Sequence, residues 1–166
     1  MRVRNETIDF AFVQKSNKPL DASIQLRPLF RSALAICARK GLTLNHARSL
    51  VELSGADWLA TGNLWVPGAT AEVLFRVAGL VPPRIIIHSR SHIAAISPLA
   101  NRDMSFLTQP HILDRLSTIE ILQEIVVAEV MPSVTVGLYP RTDTPPRVAA
   151  AMARHVITVA RELARA

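Results

Sequence analysis

The chain has 166 residues, room for one ordinary domain or two small lobes, and 49% are hydrophobic against 19% charged. It therefore buries a core and is not a disordered tail, while an aromatic content of 5% argues against a platform of exposed rings for single-stranded nucleic acid. Nineteen Lys and Arg against thirteen Asp and Glu give a net charge of +6, which favours anionic ligands or nucleic acid, but the basic residues are scattered, with no block of five or six.

The opening stretch, MRVRNETIDF, has no apolar run of the kind a signal peptide needs, and a cytoplasmic protein is expected. Ile8–Val13 reads as a short strand buried on both faces, and the polar QKSNKPLDAS after it as a loop. Residues 29–38 are predicted to form a second strand, which stops at the basic turn Arg39-Lys40-Gly41. Cys37, the single cysteine, lies between Ile36 and Ala38. It is expected to be a small core residue, and an internal disulfide is excluded. Asn45 or His46 could open a short helix carrying Ala47, Leu50, Val51 and Leu53. Trp58–Thr61 is strand-like and runs into the turn dipeptide Gly62-Asn63.

A helix with Thr70 at its N-cap follows, its apolar residues Ala71, Leu74, Val77 and Ala78 at helical spacing and Gly79 as its C-terminal cap. Arg84–His88, β-branched and continuous, is the clearest strand in the sequence. Ser91 is predicted to cap a helix containing Ile93 and Ile96, and Pro98 to kink or end it. Met104–Thr108 reads as a strand, followed by Pro110 and a helical turn through Leu113 and Leu116. Strands are predicted over 119–127 and over Val134–Tyr139. Pro145-Pro146 opens a last helix, with Val148, Met152, Val156, Val159 and Leu163 on one stripe and Arg147, Arg154 and Arg161 on another. This alternation predicts an α/β fold with a mostly parallel sheet covered by helices.

The familiar chemical signatures are missing. Gly62 and Gly68 are separated by five residues and no Lys follows, so this is not a phosphate-cradling loop. Neither G-x-G-x-x-G nor G-x-S-x-G occurs. His88 and His92 are four apart, but the first ends a strand and the second begins a helix, and a metal needs three or four converging ligands. No metal, no cofactor and no catalytic residue is expected. In open α/β sheets, ligands bind beyond the carboxyl ends of strands, where free backbone amides point outward. Three loops meet that description: Thr61-Gly62-Asn63, His88-Ser89-Arg90-Ser91 and Thr108-Gln109, with Gln14-Lys15 as a fourth. Their hydroxyls and amides would suit a carboxylate or another small polar molecule. Ordinary capping and turn formation is the competing role for the same residue types.

"IDFAF", "LFRSALAICARKG", "LVELSGADWLATG", "LFRVAGLVPPRIIIHSRSHIAAISPLA" and "VTVGLYPRTDTPP", in this order, resemble the effector-binding domain of LysR-type transcriptional regulators. The resemblance runs from about residue 6 to the final helix. It implies a periplasmic-binding-protein-like (type II) fold of two α/β lobes joined by crossover strands. The first lobe, residues 1–38 and 134–166, would be incomplete, and residues 39–133 would form the second. Phe30–Ala38 would be the first crossover and Ala38–Gly41 the hinge. The family's His-Pro-Leu after the hinge is here Leu42-Thr43-Leu44.

The resemblance also implies a function. A small, anionic effector, such as a carboxylic or aromatic acid, would bind between the lobes at Gln14, Thr61, Gly62, Asn63, Ser89, Ser91 and Thr108. It would modulate DNA binding by a helix-turn-helix domain that this chain lacks, so the chain would be a fragment of a regulator. An α/β enzyme of unassigned chemistry and a self-association module are the alternatives. Association with a second copy is expected, because the strand Ile8–Val13 would be left with an open edge.

Overall fold

A computed structural model of the protein describes residues 10–14, 27–61, 70–89, 91–110, 112–113, 121–140 and 146–163. Ile8 and Asp9, Gly62 and Asn63, Arg90, Leu116 and residues 119–120 therefore lie outside the described residues. The contacts divide the chain into two compact units, residues 1–32 with 133–166, and residues 33–132.

The first unit is built on three strands, β1 (Phe10–Gln14), β2 (Arg27–Ala33) and β8 (Ser133–Pro140), with the long helix α3 (Pro146–Leu163). The sheet order is β1-β8-β2, so the last strand in sequence is the central one. β1 runs antiparallel to β8, with Phe12 opposite Leu138 and Gln14 opposite Val136. Leu138, Tyr139 and Ala149 are buried. Arg31 Nη2 donates to Ser133 Oγ at 2.6 Å and ties β2 to the start of β8.

The second unit holds five strands in the order β5-β4-β6-β3-β7: β3 (Ala35–Arg39), β4 (Asp57–Thr61), β5 (Arg84–Ser89), β6 (Met104–Thr108) and β7 (Leu122–Ile125). β4 is parallel to β5 and to β6, while β3 is antiparallel to β6 and to β7. The sheet is thus mixed, where the helix–strand alternation predicts a mostly parallel one. β3 is the reason, because it comes from the other unit without a preceding helix and inserts between two strands.

Helices cover both faces of this sheet. On β4, alternate side chains point to opposite faces. Leu59 packs in a cluster with Ala95 and Leu99 of α2 (His92–Asn101), together with Cys37, Met104, Phe106, Leu113 and Leu122. Trp58, its neighbour, meets Phe75 of α1 (Thr70–Val77) edge to face, with ring centroids 5.5 Å apart. That double cover explains why the interiors of β3 and β4 are apolar and why β6 is buried along its whole length, Ser105 included. β5, equally apolar in composition, is an edge strand with alternating exposure, and its register against β4 shifts beside Ile86.

Three local expectations change. The helix expected around residues 45–53 is a 3-10 turn over Thr43–His46, followed by successive i to i−3 turns in which Leu53 N donates to Leu50 O and Ser54 N to Val51 O. Ser54 Oγ also donates to Leu50 O at 3.1 Å, taking the carbonyl that an α-helical N–H at residue 54 would use. Pro98 lies inside α2, which continues to Asn101, so of the two effects expected of it, a kink or an end, the helix does not end there. Finally, the Arg39-Lys40-Gly41 turn lies at the far end of β3 from the crossing. The chain passes from one sheet to the other at Leu34, between β2 and β3, where Leu34 N donates to Pro132 O at 2.9 Å. Residues 35–38, expected in the first lobe, are core strand of the second unit. Gly41, at φ 81°, supplies the left-handed turn. Buried Asn45 then donates from Nδ2 to Arg39 O at 2.9 Å.

Candidate functional site

β4, β5 and β6 are mutually parallel, so their carboxyl ends gather at one edge of the second unit's sheet. Thr61 is the register partner of Ser89. Leu59 pairs with Phe106, and two residues further along the strands stand Thr61 and Thr108. Thr108 in turn pairs with Ala35 at the start of β3. Four of the seven residues singled out from the sequence, Thr61, Ser89, Ser91 and Thr108, are therefore held at this edge or in the turn leaving it. Gly62 and Asn63 follow Thr61 but lie outside the described residues. Gln14 ends β1, in the first unit.

The polar groups here have distinct duties. Ser89 Oγ donates to Ser91 O at 2.8 Å and accepts from Ser91 N at 3.2 Å, closing a small hydroxyl–backbone ring at the end of β5. Ser91, in extended backbone, is the N-cap of α2, and its Oγ accepts from Ala94 N at 3.3 Å. The capping role expected of Ser91 is present, and it still leaves the hydroxyl proton to donate. α2 carries no acidic side chain in its first turn, so the positive end of the helix dipole is not neutralised from within the helix.

Thr108 differs from both serines. It is only 1% exposed, and its Oγ1 has no hydrogen-bond partner among the described residues. An unsatisfied buried hydroxyl costs about 1–3 kcal/mol, so a partner at this strand end would recover that cost. Gln109, next in the chain, is also buried, and its carbonyl accepts from Ile112 N and Leu113 N at 2.9 and 3.0 Å. Its burial is not visible from sequence, because a Gln that follows a strand is ordinarily solvated.

The hydroxyl of Ser89 engages the backbone of Ser91, and His88, its neighbour on β5, projects to the opposite face of the strand. The arrangement offers hydroxyl and amide donors at a helix start. Such a site suits recognition of a small anion by hydrogen bonds.

No family model matches the chain. Solved structures do match. A probable transcriptional regulator from Pseudomonas aeruginosa aligns at a TM-score of 0.74 and 17% identity, over 89% of this chain and 50% of that one. The regulatory domain of CcmR from Synechocystis, solved in complex with 2-PG, aligns at 0.71 and 14% identity, over 95% of this chain and 76% of that one. The effector-binding domain of QuiR, solved in complex with shikimate, gives 0.68 and 13% identity, over 92% and 71%. The chain spans about half the length of the Pseudomonas regulator. At these identities the likeness is one of fold, and the fold is that of LysR-family regulatory domains, the type II periplasmic-binding-protein-like fold.

Proposed function

We propose that this chain is the effector-sensing part of a bacterial LysR-type transcriptional regulator, without catalytic activity and acting in the cytoplasm. It takes a small anionic molecule at the carboxyl ends of β4, β5 and β6, where Ser91 and Thr108 donate, Ser89 holds Ser91 in place, Thr61 stands beside Ser89, and Gly62 and Asn63 follow Thr61 in sequence. Gln14 belongs to the proposal on the family resemblance alone. DNA is contacted by a helix-turn-helix domain outside this sequence, and effector binding biases that contact.

The observation that carries the reading is the register of the strand ends. Thr61 and Ser89 pair directly, and the unpartnered hydroxyl of Thr108 lies at the same edge, from which β5 leads into the unneutralised start of α2. A hydrogen bond to an anion would satisfy the Thr108 hydroxyl. The ligands in the CcmR and QuiR complexes, 2-PG and shikimate, support an acid as the ligand class.

Thermal unfolding in the presence of small carboxylic, phosphorylated and aromatic acids tests this. A ligand at a hundred times its dissociation constant adds about 2.7 kcal/mol, or roughly 5–10 °C for a chain of this size. Ser89→Ala and Thr108→Val should abolish that shift while leaving the unliganded transition within a few degrees. No stabilisation by any acid of these classes, or an undiminished shift in both variants, would refute the reading.

A further inference from the structure

The two units differ in charge. Among the described residues the second unit carries six Lys and Arg against six Asp and Glu, which balance. The first unit carries five arginines, Arg27, Arg31, Arg147, Arg154 and Arg161, against one acid, Glu162. Three of the five lie on α3 at intervals of seven residues. Seven residues are close to two helical turns, so these positions form one stripe, about 10.5 Å from each to the next.

The stripe is turned to solvent. Arg147, Ala151, Arg154 and Thr158 are exposed, while Ala149 on the opposite side is buried and Met152, Ala153 and Val156 are half-buried. No acid of α3 stands three or four places from Arg147 or Arg154, the spacing at which a helix pairs opposite charges. Neither arginine forms an ion pair among the described residues. Arg147 also stands in the first turn, where a cation opposes the helix dipole, and no acid in that turn offsets it. The stability of the helix therefore does not account for these arginines.

We infer that this stripe is a phosphate-binding surface whose partner is the backbone of duplex DNA, held without regard to sequence. Guanidinium forks match phosphate oxygens two at a time, and a row of them suits a chain of regularly spaced phosphates. An anionic membrane fits less well. A helix that lies on lipid buries an apolar face in it, but the apolar side of α3 is turned into its own unit, and the exposed positions between the arginines are Ala151 and Thr158. The choice of DNA over another polyanion rests on the regulator reading above, while the stripe itself does not. The surface goes beyond that reading, since it places a contact to DNA on this chain itself.

Fluorescence anisotropy of two unrelated labelled duplexes, titrated with the chain at several salt concentrations, measures this contact. Equal affinity for both duplexes is expected, and two phosphate contacts alone make it fall about tenfold between roughly 50 and 200 mM salt. Arg147→Gln and Arg154→Gln should each reduce the slope of log affinity against log salt by about 0.9. Arg147→Lys and Arg154→Lys should keep the slope, because the charge stays when the fork is lost. Lys40→Gln and Arg102→Gln, at exposed positions of the second unit, should leave the slope unchanged. Arg147→Gln should also raise the thermal midpoint slightly, which separates a lost contact from a lost fold. No binding at the lowest salt, a strong preference for one duplex, or a slope unaltered in Arg147→Gln and Arg154→Gln would each overturn the proposal. So would equal losses in the second-unit variants, or binding to phosphatidylserine vesicles or polyglutamate in preference to DNA. The thermal shift produced by small acids should be unchanged in the arginine variants, so the failure of one reading is distinguished from the failure of the other.

Discussion

Cys37 is fully buried in β3, in one cluster with Leu59, Met104 and Phe106. Burial, with a smaller contribution from the charge of Glu124, pushes its thiol from 9.0 up to about 12. The unfolded chain therefore releases this proton near pH 9, while the native chain holds it until about pH 12. Between those values the unfolded state binds fewer protons, so stability falls as pH rises. Below pH 9 the thiol contributes no pH dependence. Urea unfolding at pH 8, 9 and 10 should show the wild type losing about 1.4 kcal/mol more than Cys37→Ala by pH 10. Parallel losses in the two proteins would contradict the buried, protonated thiol. Its apolar neighbours in sequence were enough to indicate a core cysteine. The strand-end residues were legible to a different depth. Apolar runs that stop at hydroxyl residues place Thr61, Ser89 and Thr108 at strand ends. The parallel pairing that aligns them, the Ser89–Ser91 ring and the buried hydroxyl of Thr108 depend on residues distant in the chain.

Among the secondary-structure elements, α1 ends as its residues direct. Gly79 N donates to Arg76 O at 3.0 Å and Leu80 N to Phe75 O at 2.9 Å, the paired bonds of a helix closed by a left-handed residue. Gly79 stands at φ 73°, with open space where a Cβ would project. Gly79→Ala should therefore destabilise by about 1 kcal/mol through backbone conformation alone. Gly79→Asn should cost less, since Asn tolerates that region better; equal urea midpoints for wild type and Gly79→Ala would count against this account. Local chemistry of this kind was readable in advance for Gly79 and for the Ser91 cap. It was not readable where two local bonding patterns compete, as at Ser54, whose hydroxyl takes the carbonyl of Leu50. Nor does composition separate a central strand from an edge. Ile85, Ile86 and Ile87 are as apolar as the interior of β4, yet the topology leaves β5 on the outside. The antiparallel insertion of β3 between β6 and β7 was hidden for the same reason.

For the whole molecule, two units were legible from the resemblance, but the crossing point was not. An apolar run that spans residues 29–38 reads as one strand, whereas Leu34 divides it between two sheets. The unit formed by residues 33–132 is a single unbroken stretch of chain, and the other is made of the two segments that flank it. β1 and β2 share no ladder, because each is paired to β8, which lies between them and begins only at Ser133. During synthesis, then, the ribosome releases everything the inner stretch needs before it supplies the strand on which the outer sheet depends. Domains fold as units while the chain is still emerging, so the inner stretch completes first and residues 1–32 wait for the carboxyl end. Chains halted after Pro132 should resist protease across 33–132 and be cleaved within the first 32 residues. Equal protection of both regions would contradict this order of folding.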